Sequence, residues 1–346
     1  MNPESPDRSQ EQHKELHHPP NETAPKKKGK SLPPKPLIKL VRFGWTSLWR
    51  VMMSNLAPRD RSGAYIRPTT QFRDRISSDT DNPYQPATGR YHLYVGMSCP
   101  WAHRTLVVRA LKGLEDTISI STVSPSPESG GWIFDRVEEG CRSLADLYEL
   151  AQPGYTGRCT VPVLWDKQTK KIVNNESAEI IVILNSELNQ FAKHPDLDLY
   201  PVELREQIDC LNDKIYHAVN NGVYRCGFAQ TQSAYNLACR ELFATLDELD
   251  ELLGQQSYLC GDRLTLADIR LFTTLFRFDI AYYGLFKCNL RRIQDYPHLS
   301  VYLRALYRLP GVASTCDLES VKRDYYGNLF PLNPGGIIPL GPDIHI

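Results

Sequence analysis

Pro100 fixes a boundary in the middle of the chain. Proline has no backbone donor and a φ locked near about −65°, so a helix accommodates it best in its first turn. The residues ahead of it, Tyr91-His92-Leu93-Tyr94-Val95, predict a strand, and Gly96-Met97-Ser98 predicts a turn. The apolar spacing behind it predicts a helix over 100–114. Cys99 therefore stands where a strand hands over to a helix.

The rest of the pattern extends this unit. A second strand is expected at 118–123, followed by a long Ser/Pro/Gly-rich insertion that contains Trp132. Val161-Pro162-Val163-Leu164-Trp165 reads as a third strand, 172–173 as a fourth, and Asn175-Glu176-Ser177 opens a helix to about 188. The order β-α-β-…-β-β-α is thioredoxin-like, and a strand opened by Val161-Pro162 fits the turn where a cis proline is retained. Beyond Tyr200 strand signals stop. Helical patterns run at 201–224, 233–254, 265–282 and 296–308, and Thr265-Leu266-Ala267-Asp268 is a capping signal for the third of them. The expected fold class is an α/β thioredoxin-like N-terminal domain over 90–190 plus an all-α C-terminal domain over 200–320. Residues 321–346, rich in Tyr, Pro and Gly, are expected to wrap back as an ordered tail.

The first ninety residues differ in character. Residues 1–36 carry HHPP, KKKGK and PPKP and read as disordered. In the arm over 37–89, Leu37, Leu40, Val41, Trp45, Leu48, Trp49 and Met52 recur at helical spacing with Lys39, Arg42 and Arg50 between them. This predicts an amphipathic basic helix over 37–52. Packing on the chain's own globular body is the preferred reading; contact with a membrane surface is the alternative. The remainder of the arm is polar and aperiodic.

Hydrophobic residues make up 41 % of the chain, and 40 Lys and Arg balance 40 Asp and Glu. That balance offers no footprint for nucleic acid. Nine cysteines without a CxxC pair suit a reducing compartment better than a disulfide scaffold. With neither a signal-peptide pattern nor a long apolar run, cytoplasm is the expected setting.

The chemistry centres on Cys99. Free N–H groups and the positive end of a helix favour thiolate over thiol, and His103 and Arg104 lie about a turn away. A dithiol oxidoreductase would place its resolving cysteine at 102, which here is Ala102. Any mixed disulfide on Cys99 must then be resolved by an external thiol, and glutathione is the abundant candidate. Val161, ahead of the special proline, offers its backbone to the cysteinyl part of that tripeptide. Glu176 and Ser177, at a helix start, suit its γ-glutamyl ammonium and carboxylate. A buried helix-start cysteine and a simple helix cap would share these settings. Cys159 fits a packed core thiol, and no ligand pair beside Cys99 and His103 supports a metal.

Ser-Cys-Pro-Trp-Ala-His-Arg-Thr (98–105), Thr-Val-Pro-Val-Leu (160–164), Asn-Asn-Glu-Ser-Ala-Glu-Ile-Ile (174–181), Arg-Phe-Asp (277–279) and Phe-Lys-Cys-Asn (286–289) together resemble the glutathionyl-hydroquinone reductases, the Xi class of glutathione transferases. The resemblance covers roughly residues 55–343 and implies the glutathione transferase fold and a homodimer. It implies glutathione-dependent reduction of glutathionyl-hydroquinones through a Cys99–glutathione disulfide, with glutathione as co-substrate and no metal. By position it assigns Tyr224, Tyr282 and Tyr325 to the aromatic pocket, and Trp132 and Arg136 to glutathione binding. An ordinary core role is the competing reading of each tyrosine. Leu285 departs from the pattern, since many relatives have His there; this bears on the pocket edge or dimer contacts. An Omega-like thiol transferase or dehydroascorbate reductase, and a non-enzymatic interaction module docking through the 37–52 helix, are the alternatives.

Overall fold

The computed structural model describes residues 35–126, 128 and 131–342. The reading of the N-terminal tail therefore falls almost wholly outside the described residues. Two compact units divide the chain, Met1–Thr46 and Ser47–Ile346, and all elements after the first helix belong to the second.

β1 (Tyr91–Val95) is the strand ahead of Cys99, and every one of its residues is buried. Burial on both faces is why it reads as a continuous apolar run rather than an alternation. It pairs parallel with β2 (Ser119–Ser126), from His92 opposite Ser119 to Val95 opposite Thr122. On its other side it pairs antiparallel with β5 (Val163–Asp166), which in turn pairs with β6 (Lys171–Asn174). α2 (Pro100–Lys112) supplies the crossover from β1 to β2, and α4 (Ser177–Ser186) comes after β6. Each of these elements lies within a few residues of its expected place.

The long insertion is where the structure departs from the reading. Expected only as a Ser/Pro/Gly-rich insertion, it forms β3 (Gly131–Glu138), β4 (Cys141–Ser143) and α3 (Leu144–Ala151). The hairpin extends the sheet to six strands in the order β4-β3-β2-β1-β5-β6. Its turn is Glu139-Gly140, with φ of 51° and 81°. Positive φ at both central residues matches the twist of the flanking strands, and glycine takes it without steric cost. α3 is closed by a capping box in which Ser143 and Asp146 bond each other's backbone N–H.

The helical half holds α5 (Arg205–Ile215), α6 (Gly222–Gly227), α7 (Gln232–Leu253), α8 (Leu266–Arg277) and α9 (Pro297–Tyr307). The expected 201–224 helix is broken by a π-helical turn at Tyr216–Asn220, and α8 ends in another at Phe278–Tyr282. Such turns insert an extra residue and re-aim the side chains at and beyond them, here Tyr282 and Tyr224. The expected tail contains a helix as well, α10 (Leu318–Asn328), capped by Asp317 accepting from Ser320 N at 2.9 Å. α2 packs on both α4 and α8, so the element that begins at Cys99 joins the sheet layer to the helical layer.

The signal at 265–268 marks a heavily bonded cap. Asp268 is fully buried and accepts from Thr265 N (2.8 Å), Thr265 Oγ1 (3.0 Å), Leu259 N (2.8 Å) and Tyr302 Oη (2.7 Å). Asp268→Ala strands four buried donors and is expected to cost about 3–5 kcal/mol, read as a lower urea midpoint.

α1 (Lys35–Leu56) covers the expected helix of the arm and extends it at both ends. Met53 is buried and Trp49 Nε1 donates to Pro331 O at 3.0 Å, whereas Leu40, Val41, Phe43, Leu48 and Val51 are exposed. Within Ser47–Ile346, packing on protein therefore accounts for Trp49 and Met53 and leaves Leu48 and Val51 exposed.

Candidate active site

Cys99 is the N-cap of α2, in extended conformation, and its carbonyl accepts from His103 N at 3.0 Å. Pro100 contributes no donor, so the N–H groups of Trp101 and Ala102 are the unpaired donors of the first turn. The Cys99 thiol faces the carbonyl of Val161, Sγ to O 3.8 Å. The Val161–Pro162 bond is cis, as the sequence suggested. β5 begins only at Val163, so the backbone of Val161 stands outside the sheet ladder.

A buried arginine holds the turn that presents this thiol. Arg277, at the end of α8, donates Nε to Ser98 O (2.8 Å), Nη2 to Met97 O (2.9 Å) and Nη1 to Thr273 O (2.9 Å). Nη1 also meets His103 Nδ1 at 2.9 Å. A guanidinium has only donors, so Nδ1 accepts and the His103 proton sits on Nε2. Nε2 donates to Thr315 Oγ1 at 2.9 Å, and that hydroxyl passes its own proton to Val312 O at 2.7 Å. Burial, reinforced by the Arg277 charge, pushes the His103 pKa well below its ordinary value. His103 is therefore neutral and committed to Arg277. The expectation that it adds positive charge beside the sulfur is corrected.

Cys99 opens into a cleft of about 290 Å³. Trp132, Val161, Glu176, Ser177, Tyr224 and Tyr325, all singled out from the sequence, line it. Glu176 caps α4, its Oε1 accepting from Ala178 N (3.1 Å) and its Oε2 from Thr70 Oγ1 (3.2 Å). This carboxylate thus caps α4 and ties it to the arm at Thr70. The Ser177 hydroxyl accepts from buried Arg104 at 3.4 Å, and Arg104 Nη2 bonds Asn220 Oδ1 at 2.6 Å. Trp132 reaches the cleft because residue 96 is glycine: a Cβ there would lie 2.4 Å from the Trp132 ring.

Tyr224 and Tyr325 meet in the lining of the cleft, hydroxyl to hydroxyl 2.6 Å, and Tyr282 backs them at 3.0 Å from Tyr325 Oη. Tyr282 is fully buried and does not line the cleft. Burial raises the pKa of all three phenols, so they are protonated at neutral pH. Tyr326 turns away and donates to Ile280 O at 3.1 Å.

Arg136 is not brought to the site. It is exposed on β3, four residues beyond Trp132, a distance of about 13 Å along a strand. Because Trp132 sits opposite Pro125 at the C-terminal end of β2, the remaining length of β3 runs away from Cys99. Leu285 is buried and also lies outside the cleft. The sequence reading missed the wall made by the arm: Arg67, Thr70 and Gln71 line the cleft, and the Arg67 guanidinium lies 3.8 Å over the Trp101 ring. No periodicity marks these residues. Phe72 and Asn175, bonded N to Oδ1 (3.2 Å) and O to N (3.1 Å), seat the arm against the end of β6. Tyr148 of α3 was missed too; its hydroxyl donates to Thr160 O (2.8 Å) and accepts from Asn175 Nδ2 (2.9 Å), joining the two loops on either side of the cleft.

Among the described residues Cys99 is the one cysteine lining the cleft, and all nine cysteines are free. Cys159 packs against the core, where burial raises its pKa. Among the described residues no group of three or more His, Cys, Asp or Glu is placed to hold a metal ion.

Known proteins share both the sequence and the shape. Residues 98–187 match the glutathione S-transferase N-terminal domain and 232–305 the C-terminal domain. The glutathionyl-hydroquinone reductase PcpF of Sphingobium chlorophenolicum is 48% identical over 305 residues, 86% of this chain and 94% of that protein. The crystal structure of the glutathione-S-transferase Xi from Phanerochaete chrysosporium superposes with a TM-score of 0.78 at 47% identity, covering 82% of this chain and 94% of that one. The glutathione-bound structure of YqjG from Escherichia coli K-12 gives 0.76 at 44% identity, covering 80% and 94%; YqjG too is named a glutathionyl-hydroquinone reductase. With a cysteine at the helix start, a cis proline opposite it and this degree of identity over most of its length, the chain belongs to the Xi class of glutathione transferases, the family of the glutathionyl-hydroquinone reductases.

Proposed function

We propose that this protein reduces glutathionyl-hydroquinones to hydroquinones at the expense of glutathione, by way of a Cys99–glutathione mixed disulfide. The observation that carries the reading is a lone cleft cysteine facing a cluster of protonated phenols. The names of PcpF and YqjG support it over the Omega-like alternative. A cleft built around Cys99, Glu176 and Ser177 counts against a mere interaction module.

In the first step the Cys99 sulfur attacks the thioether sulfur of the substrate. A disulfide forms between Cys99 and glutathione, the bond from sulfur to the aromatic carbon breaks, and its electron pair leaves with the ring. A proton completes the hydroquinone. In the second step the thiolate of a free glutathione attacks the glutathionyl sulfur, releasing glutathione disulfide and regenerating Cys99. The aromatic carbon exchanges its bond to sulfur for one to hydrogen, a two-electron reduction, and the thioether sulfur and one free glutathione thiol become the disulfide. Val161, Glu176, Ser177 and Trp132 are assigned to glutathione.

Tyr224 and Tyr325 are assigned to the aromatic part. Two hydrogen bonds among three phenols engage two of their protons, and the third serves a ligand atom. Tyr282 acts by positioning Tyr325. Tyr325→Phe is expected to lower kcat for glutathionyl-hydroquinone by about ten- to a hundredfold while leaving reduction of a simple glutathione mixed disulfide unchanged. Because burial raises these pKa values, no loss of activity from phenol ionisation is expected below about pH 10.

The functional test is turnover of glutathionyl-menadiol with glutathione, monitoring menadiol and glutathione disulfide together. Equal yields of the two are expected. Reduction of mixed disulfides with no menadiol released would favour the Omega-like chemistry. The same reading extends to a homodimer in a reducing, cytoplasmic setting, checked by light scattering and cell fractionation. Among the described residues no helix is long and apolar enough to cross a membrane.

A further inference from the structure

The site absorbs the sheet, the helical half and the arm, including Leu56 at the end of α1, but leaves the rest of α1 without a role. That helix has 22 residues, about 33 Å, and no acidic side chain. At about 100° per residue, Lys35, Lys39, Arg42 and Arg50 fall within an arc of about 80°. Leu37, Leu40, Val41, Trp45, Leu48, Val51 and Met52 occupy an arc of about 140° on the opposite side. All of these apolar residues except Met52 are about half exposed or more, from 49 % for Leu37 to 68 % for Leu40. Two exposed apolar residues fall outside that arc: Phe43, 73 % exposed, beside the basic arc, and Ile38, 47 % exposed, just past the apolar edge. Immediately upstream the sequence carries four more lysines, Lys26, Lys27, Lys28 and Lys30.

We propose that α1 is an interfacial helix that lies in the surface of an anionic phospholipid bilayer. A wide apolar face bearing tryptophan, a purely basic polar face and low net hydrophobicity are what such helices need: the apolar arc enters the acyl boundary and the cations meet the headgroups. Charge complementarity selects this occupant. A second copy of the chain would bring no acid on the same helix to meet these four cations, so α1 offers its own copy no charge complementarity. The four charges also keep the helix in the plane of the surface rather than across it.

The test is flotation of the full-length protein with phosphatidylcholine vesicles, with and without phosphatidylserine, at low and high salt. Three proteins are compared: wild type, Val41→Glu/Trp45→Glu on the apolar face, and Lys39→Glu/Arg42→Glu on the basic face. None of these residues lines the cleft, so turnover of glutathionyl-menadiol is expected to be unchanged in both variants. Wild type is expected to float with phosphatidylserine vesicles and to be released by salt. Each basic residue near such a surface is worth about fivefold, so the basic-face variant should bind at least about 25-fold more weakly. The apolar-face variant should lose binding to the same degree. Wild type that ignores phosphatidylserine vesicles overturns the proposal, as does binding that survives both variants. Variants that turn a dimer into a monomer, with no vesicle binding by wild type, would assign the face to a second copy instead.

Discussion

Cys99→Ala is expected to lose at least about a thousandfold in release of hydroquinone from its glutathionyl conjugate while keeping wild-type stability. The substitution removes the only sulfur in the cleft able to take the glutathionyl group, since among the described residues no other cysteine lines it. Nothing in the packing compensates. Ala102, the position a second thiol would occupy in a dithiol site, is fully buried in α2, and Cys159 packs against the core. The change itself is mild, because Cys99 makes one weak side-chain contact, with Val161 O. Steady-state turnover and a urea melt on the same preparation separate the two effects. Cys99→Ser is expected to be as inactive, since a hydroxyl is a far poorer nucleophile toward sulfur at neutral pH.

Arg277→Met is expected to cost about 3–5 kcal/mol of stability and most of the activity. The guanidinium is fully buried and satisfies three carbonyls and the Nδ1 of His103. Two of those carbonyls, Met97 and Ser98, belong to the turn that sets Cys99 at the start of α2. Methionine fills the volume but leaves the acceptors without donors. Arg277→Lys separates stability from positioning. A single ammonium keeps the charge without the planar fork that spans Met97 O and Ser98 O. It should recover part of the stability yet remain about ten- to a hundredfold down in kcat, since displacing a reacting atom by about 1 Å costs on that order. Equal activity of Arg277→Lys and wild type would show that the fork does not place the sulfur.

The sequence was most informative where local rules and tertiary demands coincide. Pro100 at the first turn of α2, Val161-Pro162 ahead of β5 and the Asp268 cap of α8 each have one dominant physical reason to be where they are. The helix start at Glu176-Ser177 was legible for the same reason. β3 was not, because most of its residues are exposed and the strand is stabilised by pairing with β2 rather than by an apolar period. Its turn, Glu139-Gly140, was the available signal. α10 was hidden by the Tyr and Gly around it, although Asp317 three residues before Ser320 is a recognisable cap. Arg67 had no local signal at all, since it reaches Trp101 through a long-range fold of the arm. His103 shows the opposite failure. It lies one turn from Cys99, yet burial neutralises it and Arg277 captures it. Arg136 shares a strand with Trp132, but strand geometry carries it away from the cleft.

A single turnover without free glutathione tests the central claim most directly. The protein is mixed with excess glutathionyl-menadiol, menadiol is quantified, and the intact protein and its peptides are weighed. One menadiol per chain should be released in a burst, and one glutathione should be found on the peptide that holds Cys99, removable by added glutathione. Menadiol released with no adduct, or an adduct confined to another cysteine, would contradict the account.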